Sequence, residues 1–318
     1  MILPNEPGKI NFLIGVHASL DRILSGGTLA MHRLAWLIAM RGHNAFVFSK
    51  PAYEHPNLKE IKCEVISTDG FIESYAWEGF GFQLNNTVAV YPQVTGGNPF
   101  NTSHIARWIM YDTERLQEES YGSDEEFFNF GSFKVYKNVP TRKLTVFDYN
   151  LDKFYITNTK KRKGFCHINH KHTPPGGLRI MSEISSLNLS DWRERGGFDY
   201  LREQFNDYEY MLTYDQKSFY TVAAGLCGCK TIILNPGRSY EFAPNANSES
   251  EEYKEPLTPE MYRRRNPIAE YGVAYGWNDI HWANDTIHLV RDHVKILDAL
   301  DNKTVDNFID FWKNRLAI

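Results

Sequence analysis

Apolar positions along this chain follow two periods. Short runs with little polar surface recur at 9–17 (KINFLIGVH), 44–49 (NAFVFS), 61–66, 87–91, 107–111 (RWIMY) and 144–147, each the length of a buried strand. Between the first two, residues 28–41 carry Leu29, Ala30, Leu34, Leu37 and Ile38 at helical spacing, and Gly42 is placed to end that helix. Residues 117–126 read as an acidic surface loop and 127–136 as an aromatic stretch packing beneath it. A second series opens at 164–169 (GFCHIN), after the basic linker KKRK at 160–163. A Pro-, Gly- and Ser-rich loop is expected over 173–188 and a helix over 192–204. Then come a strand at 208–214, a helix at 218–226, Gly228 as its end, and a β-branched strand at 231–234. A short basic helix at 259–265, a tight loop AYGWN at 274–278, and helices at 279–300 and 305–316 complete the pattern.

Strands alternating with helices predict an α/β protein with parallel strands, because a parallel pair needs a crossover connection. Two series of similar length predict two Rossmann-like β/α/β domains facing across a cleft. Their expected bounds are 1–158 and 159–304, with 305–318 a helix that packs back on the first domain.

Composition narrows the classes. The 318 residues suffice for two domains, and 42% hydrophobic with 23% charged residues is ordinary for a globular protein. A net charge of -4 gives no basic excess for nucleic acid, and no apolar run approaches the roughly 20 residues of a membrane helix. MILPNEPGK carries no export signal, so a cytoplasmic location is expected. Four cysteines in a chain of this length are expected to be reduced and mostly buried, since Cys227 and Cys229 lack a second pair at zinc spacing.

Candidate chemistry lies at strand ends. In open parallel sheets ligands sit beyond the carboxyl ends of the strands. Asp215, Ser218 and Tyr220 follow one such end where a helix begins, and a helix N-terminus offers free N–H groups to phosphate. A plain Asp/Ser cap explains the same residues. Gly26-Gly27 before the first helix let a ligand approach the backbone, although neither G-x-G-x-x-G nor a Walker lysine is present. That disfavours a dehydrogenase and excludes a P-loop enzyme. His167, His170 and His172 are a weak metal signal, whereas Lys171 among them can neutralise a diphosphate. Asp112 follows RWIMY at another strand end.

At this point the chain resembles the GT-B glycosyltransferases. SGGTLAMHRLAWLIAMRGHNAFVF is similar to their opening, and ARWIMYDTE, KRKGFCHINHKH, YDQKSFYTVAAGLCGCKTIIL and GVAYGWNDIHWA resemble blocks of poorly characterised polysaccharide and cell-surface glycosyltransferases. The resemblance implies a C-terminal domain that holds a UDP- or GDP-sugar and an N-terminal domain that holds a glycan or glycolipid acceptor. Any membrane association would come through that acceptor. It implies no cofactor and no metal. Gly26, Gly27, Lys171, Asp215, Ser218 and Tyr220 would serve the donor, and Asp21, Asp112 or His17 would be the base in an inverting reaction. In the retaining branch two Glu stand eight positions apart; here those positions are Asp215 and Ala223, so the ribose-binding carboxylate is absent. A catalytically inactive nucleotide-sugar or glycan binder, or a nucleotide-sugar epimerase, is the alternative.

Overall fold

The computed structural model describes residues 5–17, 26–50, 63–67, 85–110, 121–131, 139–157, 160–168, 177–215, 218–234 and 258–318. The chain divides into two compact units, Met1–Asp148 with Asp298–Ile318, and Tyr149–Leu297.

The first unit is built on seven strands: β1 (Asn11–His17), β2 (Asn44–Lys50), β3 (Cys63–Ser67), β4 (Thr87–Pro92), β5 (His104–Ile109), β6 (Glu126–Asn129) and β7 (Arg142–Lys143). They pair in the order β3-β2-β1-β4-β5-β6-β7, every pair parallel. The order reverses direction between β1 and β4, the topological switch point of a doubly wound sheet. Helix α1 (Gly26–Met40) covers one face, laying Ala30, Met31, Leu34, Leu37 and Ile38 on Phe12, Ile14 and Val16. Gly42 adopts φ +81 just past its end, as its position in the sequence requires.

The same face receives the end of the last helix, whose Val305, Phe308, Ile309 and Trp312 join this core. Phe308 lies 5.5 Å from Phe12 and 4.7 Å from Phe128 between ring centroids. On the opposite face Phe100 packs 4.6 Å from Phe48 and 5.1 Å from Tyr91. Arg107 is fully buried there, in a bidentate pair with Glu125 (2.7 and 2.8 Å). Its remaining N–H groups hold the carbonyls of Thr95 and Gly97, in the segment that follows β4.

The second unit has five parallel strands: β8 (Lys163–His167), β9 (Leu187–Asn188), β10 (Tyr208–Thr213), β11 (Lys230–Ile233) and β12 (Val273–Tyr275). Their order is β12-β11-β10-β8-β9, which puts the switch point between β8 and β10. Helices α2 (Gly177–Ile184), α3 (Gly197–Asp207), α4 (Phe219–Leu226), α5 (Pro259–Arg265) and α6 (Ile280–Thr286) belong to this unit. Met181, Ile280 and Ala283 pack with Leu212, Tyr214, Ile232 and Leu234 on one face, and Tyr262 and Ala269 with Ile233 and Val273 on the other.

Several expectations are corrected. Residues 144–147 form no strand: the N–H of Thr145 goes to Thr304 Oγ1 and that of Phe147 to Asp301, so side chains replace a neighbouring strand. Part of the aromatic stretch 127–136 is ladder, as β6. The expected loop 173–188 contains α2 and β9; Ile180, Met181 and Ile184 stand at helical spacing within it, although α2 buries only Gly177 and Met181. Helix α3 starts late because Gly196 and Gly197 take positive φ (127 and 66). The AYGWN loop begins as β12, with Ala274 paired to Ile232. The two final helices are divided elsewhere: a 3-10 turn at Ile287–Leu289 separates α6 from α7 (Val290–Leu316), which runs unbroken through residues 301–304. The supposed solvated linker at 160–163 includes Arg162, whose guanidinium holds the carbonyls of Phe205, Tyr208 and Cys227, fastening the ends of α3 and α4.

Candidate functional site

The carboxyl edge of the second sheet gathers the expected donor-side residues. Strand β10 ends at Thr213, whose hydroxyl accepts the N–H of Asp215 (3.0 Å) and turns the chain. Asp215 is 2% exposed. Ser218 is extended (φ −128) and caps α4, accepting the N–H of Tyr220 at 3.2 Å. Ser218 is a helix cap, and it stands at the positive end of a helix beside the switch point.

Tyr220 turns inward. Its hydroxyl accepts Trp192 Nε1 at 3.1 Å, and the Arg193 guanidinium is near enough for its charge to be felt there. Burial pushes its pKa up, and the negative charge of Asp215 adds to this against the opposing Arg193. At neutral pH it is a neutral phenol already engaged by protein groups. Trp192 is itself locked, stacked on Phe198 at 5.3 Å and 10°.

Arg193 is the residue that sequence reasoning missed. It follows β9, its guanidinium carbon lies 4.8 Å from the Trp192 ring centroid, and its Nε is buried with no hydrogen-bond partner. A partly covered guanidinium whose charge is felt at Tyr220, in the first turn of α4, suits a phosphate. The signal was Arg193 in DWRERGG, one of the two arginines of that segment. It could be weighed only once 187–188 was known to be a strand, making Arg193 a strand-end residue.

In the first unit, Gly26 and Gly27 form the first turn of α1, next to the β1/β4 switch point. Among the described residues, a Cβ on Gly26 would meet nothing within 4 Å, and one on Gly27 only Met110 Cε at 3.9 Å. Neither glycine has positive φ. Packing against the described residues does not demand glycine here, and the absence of side chains leaves the backbone of this turn bare. His17 is the last residue of β1, at the same carboxyl edge. Asp21, Asp112 and Lys171 lie outside the described residues, as do His170 and His172.

His167 is buried and bonded through Nδ1 to Ser185 Oγ; desolvation lowers its pKa, keeping the ring neutral. Among the described residues no group of three His, Cys, Asp or Glu side chains could hold a metal ion. Cys166, Cys227 and Cys229 are free and buried, and burial pushes the Cys227 thiol up to about 12, which leaves it unreactive. No described helix is long and apolar enough to cross a membrane.

No protein-family model matches the chain, and no curated protein matches it. Among solved structures it is similar to a glycosyltransferase from Rickettsia africae ESF-5, with 12% identity, a TM-score of 0.50, and coverage of 96% of this chain and 98% of that one. Looser likenesses are CalG4, the calicheamicin glycosyltransferase (12% identity, TM-score 0.46, 98% and 100% covered), and the spinosyn rhamnosyltransferase SpnG (10%, 0.36, 94% and 95%). The first likeness is one of fold: an α/β chain with two parallel sheets, shared with a glycosyltransferase along nearly its whole length.

Proposed function

We propose that this protein is a glycosyltransferase that moves a sugar from a nucleoside-diphosphate sugar to a glycan or glycolipid acceptor in polysaccharide or cell-surface glycan assembly. One coincidence carries the reading. The fold is shared with a glycosyltransferase, and the switch point of the second sheet carries the anion-accepting elements such a donor needs: the N-terminus of α4, Ser218 and Arg193.

On this reading the second unit binds the donor, with Lys171, Arg193, Ser218 and the α4 N–H groups on the diphosphate. Asp215 and Tyr220 shape that wall. The first unit takes the acceptor, and Gly26-Gly27 admit the sugar or the diphosphate. The bond from the anomeric carbon to the diphosphate oxygen breaks, its electron pair leaves with the nucleoside diphosphate, and the acceptor oxygen forms the new bond. The leaving group gains negative charge, so cations and a helix dipole stabilise the transition state without a metal. In an inverting reaction the acceptor proton goes to Asp21, Asp112 or His17.

One observation favours a second reading, a nucleotide-sugar or glycan binder without activity. Position 223, where the resembled branch carries a ribose-binding Glu, is a fully buried Ala in α4. A thermal-shift and turnover scan with UDP-glucose, UDP-N-acetylglucosamine, GDP-mannose and UDP-galactose tests both. Nucleoside diphosphate release with any donor supports the transferase. Binding without release supports the binder, and epimerisation of a free donor would identify an epimerase instead.

A further inference from the structure

The carboxyl end of the β8/β10 switch point carries two buried polar atoms that have no hydrogen-bond partner among the described residues. His167 closes β8 and pairs in register with Leu212, as Phe165 does with Tyr210. Side chains alternate along a strand and share a face across a pair, so Phe165, His167, Tyr210, Leu212 and Tyr214 all point to the same side of the sheet. That is the side of Met181 and Ala283, with which Leu212 and Tyr214 pack. His167 is 2% exposed and Tyr214 is 4% exposed. Ser185 takes His167 Nδ1, but His167 Nε2 and the Tyr214 hydroxyl are buried with no hydrogen-bond partner among the described residues.

Two such atoms at the carboxyl ends of neighbouring strands, His167 closing β8 and Tyr214 following β10 two positions beyond the register partner of His167, are unusual. Buried polar groups are nearly always paired, because leaving one unpaired forfeits its hydration. They sit at the one position where the strand order makes a crevice for a ligand.

The geometry points to His167 and Tyr214 as the pair that takes one uncharged hydroxyl or carbonyl of the bound nucleotide-sugar, from either its nucleoside or its sugar. This deepens the glycosyltransferase reading and rests on it. An imidazole and a phenol together both donate and accept, which matches a hydroxyl or carbonyl group. Both are desolvated, so a charged group would be poorly received. The phosphates go to the cationic side around α4; this pair takes the neutral part.

The test uses Tyr214→Phe, which removes one oxygen that the empty protein does not use, and His167→Gln as the second variant. Affinities of the full chain for UDP, GDP, UDP-glucose and GDP-mannose are measured by titration calorimetry, with melting temperature as the control. The expected result is a roughly tenfold loss of affinity in Tyr214→Phe for the best wild-type ligand, with an unchanged or raised melting temperature in the empty protein. A loss already present with the nucleoside diphosphate identifies the nucleoside as the source; a loss confined to the sugar nucleotide identifies the sugar. Wild-type affinity in both variants for every ligand would overturn the inference alone, and would mean that the two atoms hold only water. Failure of the wild-type protein to bind any of the four probes would overturn the glycosyltransferase reading and this inference together.

Discussion

Replacing Arg107 by Met is expected to cost the first unit about 3–5 kcal/mol, the usual range for breaking a buried ion pair from one side. The guanidinium is fully buried, makes two bonds to Glu125 and two to backbone carbonyls, and lies 5.1 Å from the Tyr91 ring centroid and 4.8 Å from that of Tyr121. Met keeps much of the contact with both rings but returns none of the four bonds. Glu125 then keeps only the Gly122 N–H at 2.9 Å, and the carbonyls of Thr95 and Gly97 lose a donor away from water. Arg107→Met with Glu125→Leu should be less damaging than Arg107→Met alone, because most of the loss comes from the stranded charge. With two units present, a global denaturation curve would blend two transitions, so hydrogen exchange of the β5 amides is the better assay. An effect of 3–5 kcal/mol corresponds to exchange faster by about a hundredfold to a few thousandfold. Acceleration below tenfold in Arg107→Met, or a double variant worse than the single one, would refute the reasoning. Because Arg107 holds the segment after β4, the loss should be felt at the carboxyl edge of the first sheet.

Other outcomes follow from the same structure. Burial, aided by Lys313 and Lys9 and opposed by Asp310, lowers the pKa of His43, and its Nδ1 accepts the Ile10 N–H at 3.1 Å. A depressed histidine pKa means that the unfolded chain binds the extra proton first, so stability should fall as pH drops below about 6.5 and on toward the folded pKa. His104 and His167 are lowered too and add to this, so melting temperatures from pH 8 to 5 should slope less in His43→Gln but not become flat. Arg193→Ala and Lys171→Ala should each weaken nucleoside diphosphate binding by roughly tenfold, with a shallower salt dependence; unchanged affinity in calorimetry removes that residue from the site. Asp21→Asn or Asp112→Asn should lower turnover with donor affinity intact, and full activity in both would discard these two as the base. Gly225→Ala would put a Cβ 2.9 Å from Val290 Cγ1, so it should destabilise by about 1–3 kcal/mol despite better helix propensity, with Val290→Ala relieving it; calorimetric melting checks both.

The chain's local pattern determined a good deal. Buried apolar runs marked β1, β2, β4 and β11 because strands enclosed on both faces have no polar side to show, and alternation marked β8 and β10. Helical spacing with a closing glycine marked α1, and alternation of the two periods gave the α/β class with parallel strands. The strand-end rule picked out Asp215, Ser218 and Tyr220, which do stand where β10 hands over to α4.

Tertiary structure decided the rest. Strand order is a matter of which strand lies beside which, and no local period encodes it; yet that order alone sets the switch points at β1/β4 and β8/β10. Residues 144–147 looked like a strand and are not, because their partners are Asp301 and Thr304 on a helix far along the chain. Helix α2 was masked by its flanks, because Pro174-Pro175-Gly176-Gly177 before it and Ser185-Ser186 after it read as loop although Ile180, Met181 and Ile184 stand at helical spacing. Arg193 became a candidate only when folding brought Trp192, and Arg193 with it, against Tyr220 on another element. His167 and Tyr214 look like ordinary core residues in sequence; only the packed sheet reveals two buried polar atoms without partners among the described residues at the carboxyl end of β8 and β10. Periodicity records which face of an element is covered, whereas a site depends on which elements meet there, and that is decided by long-range packing.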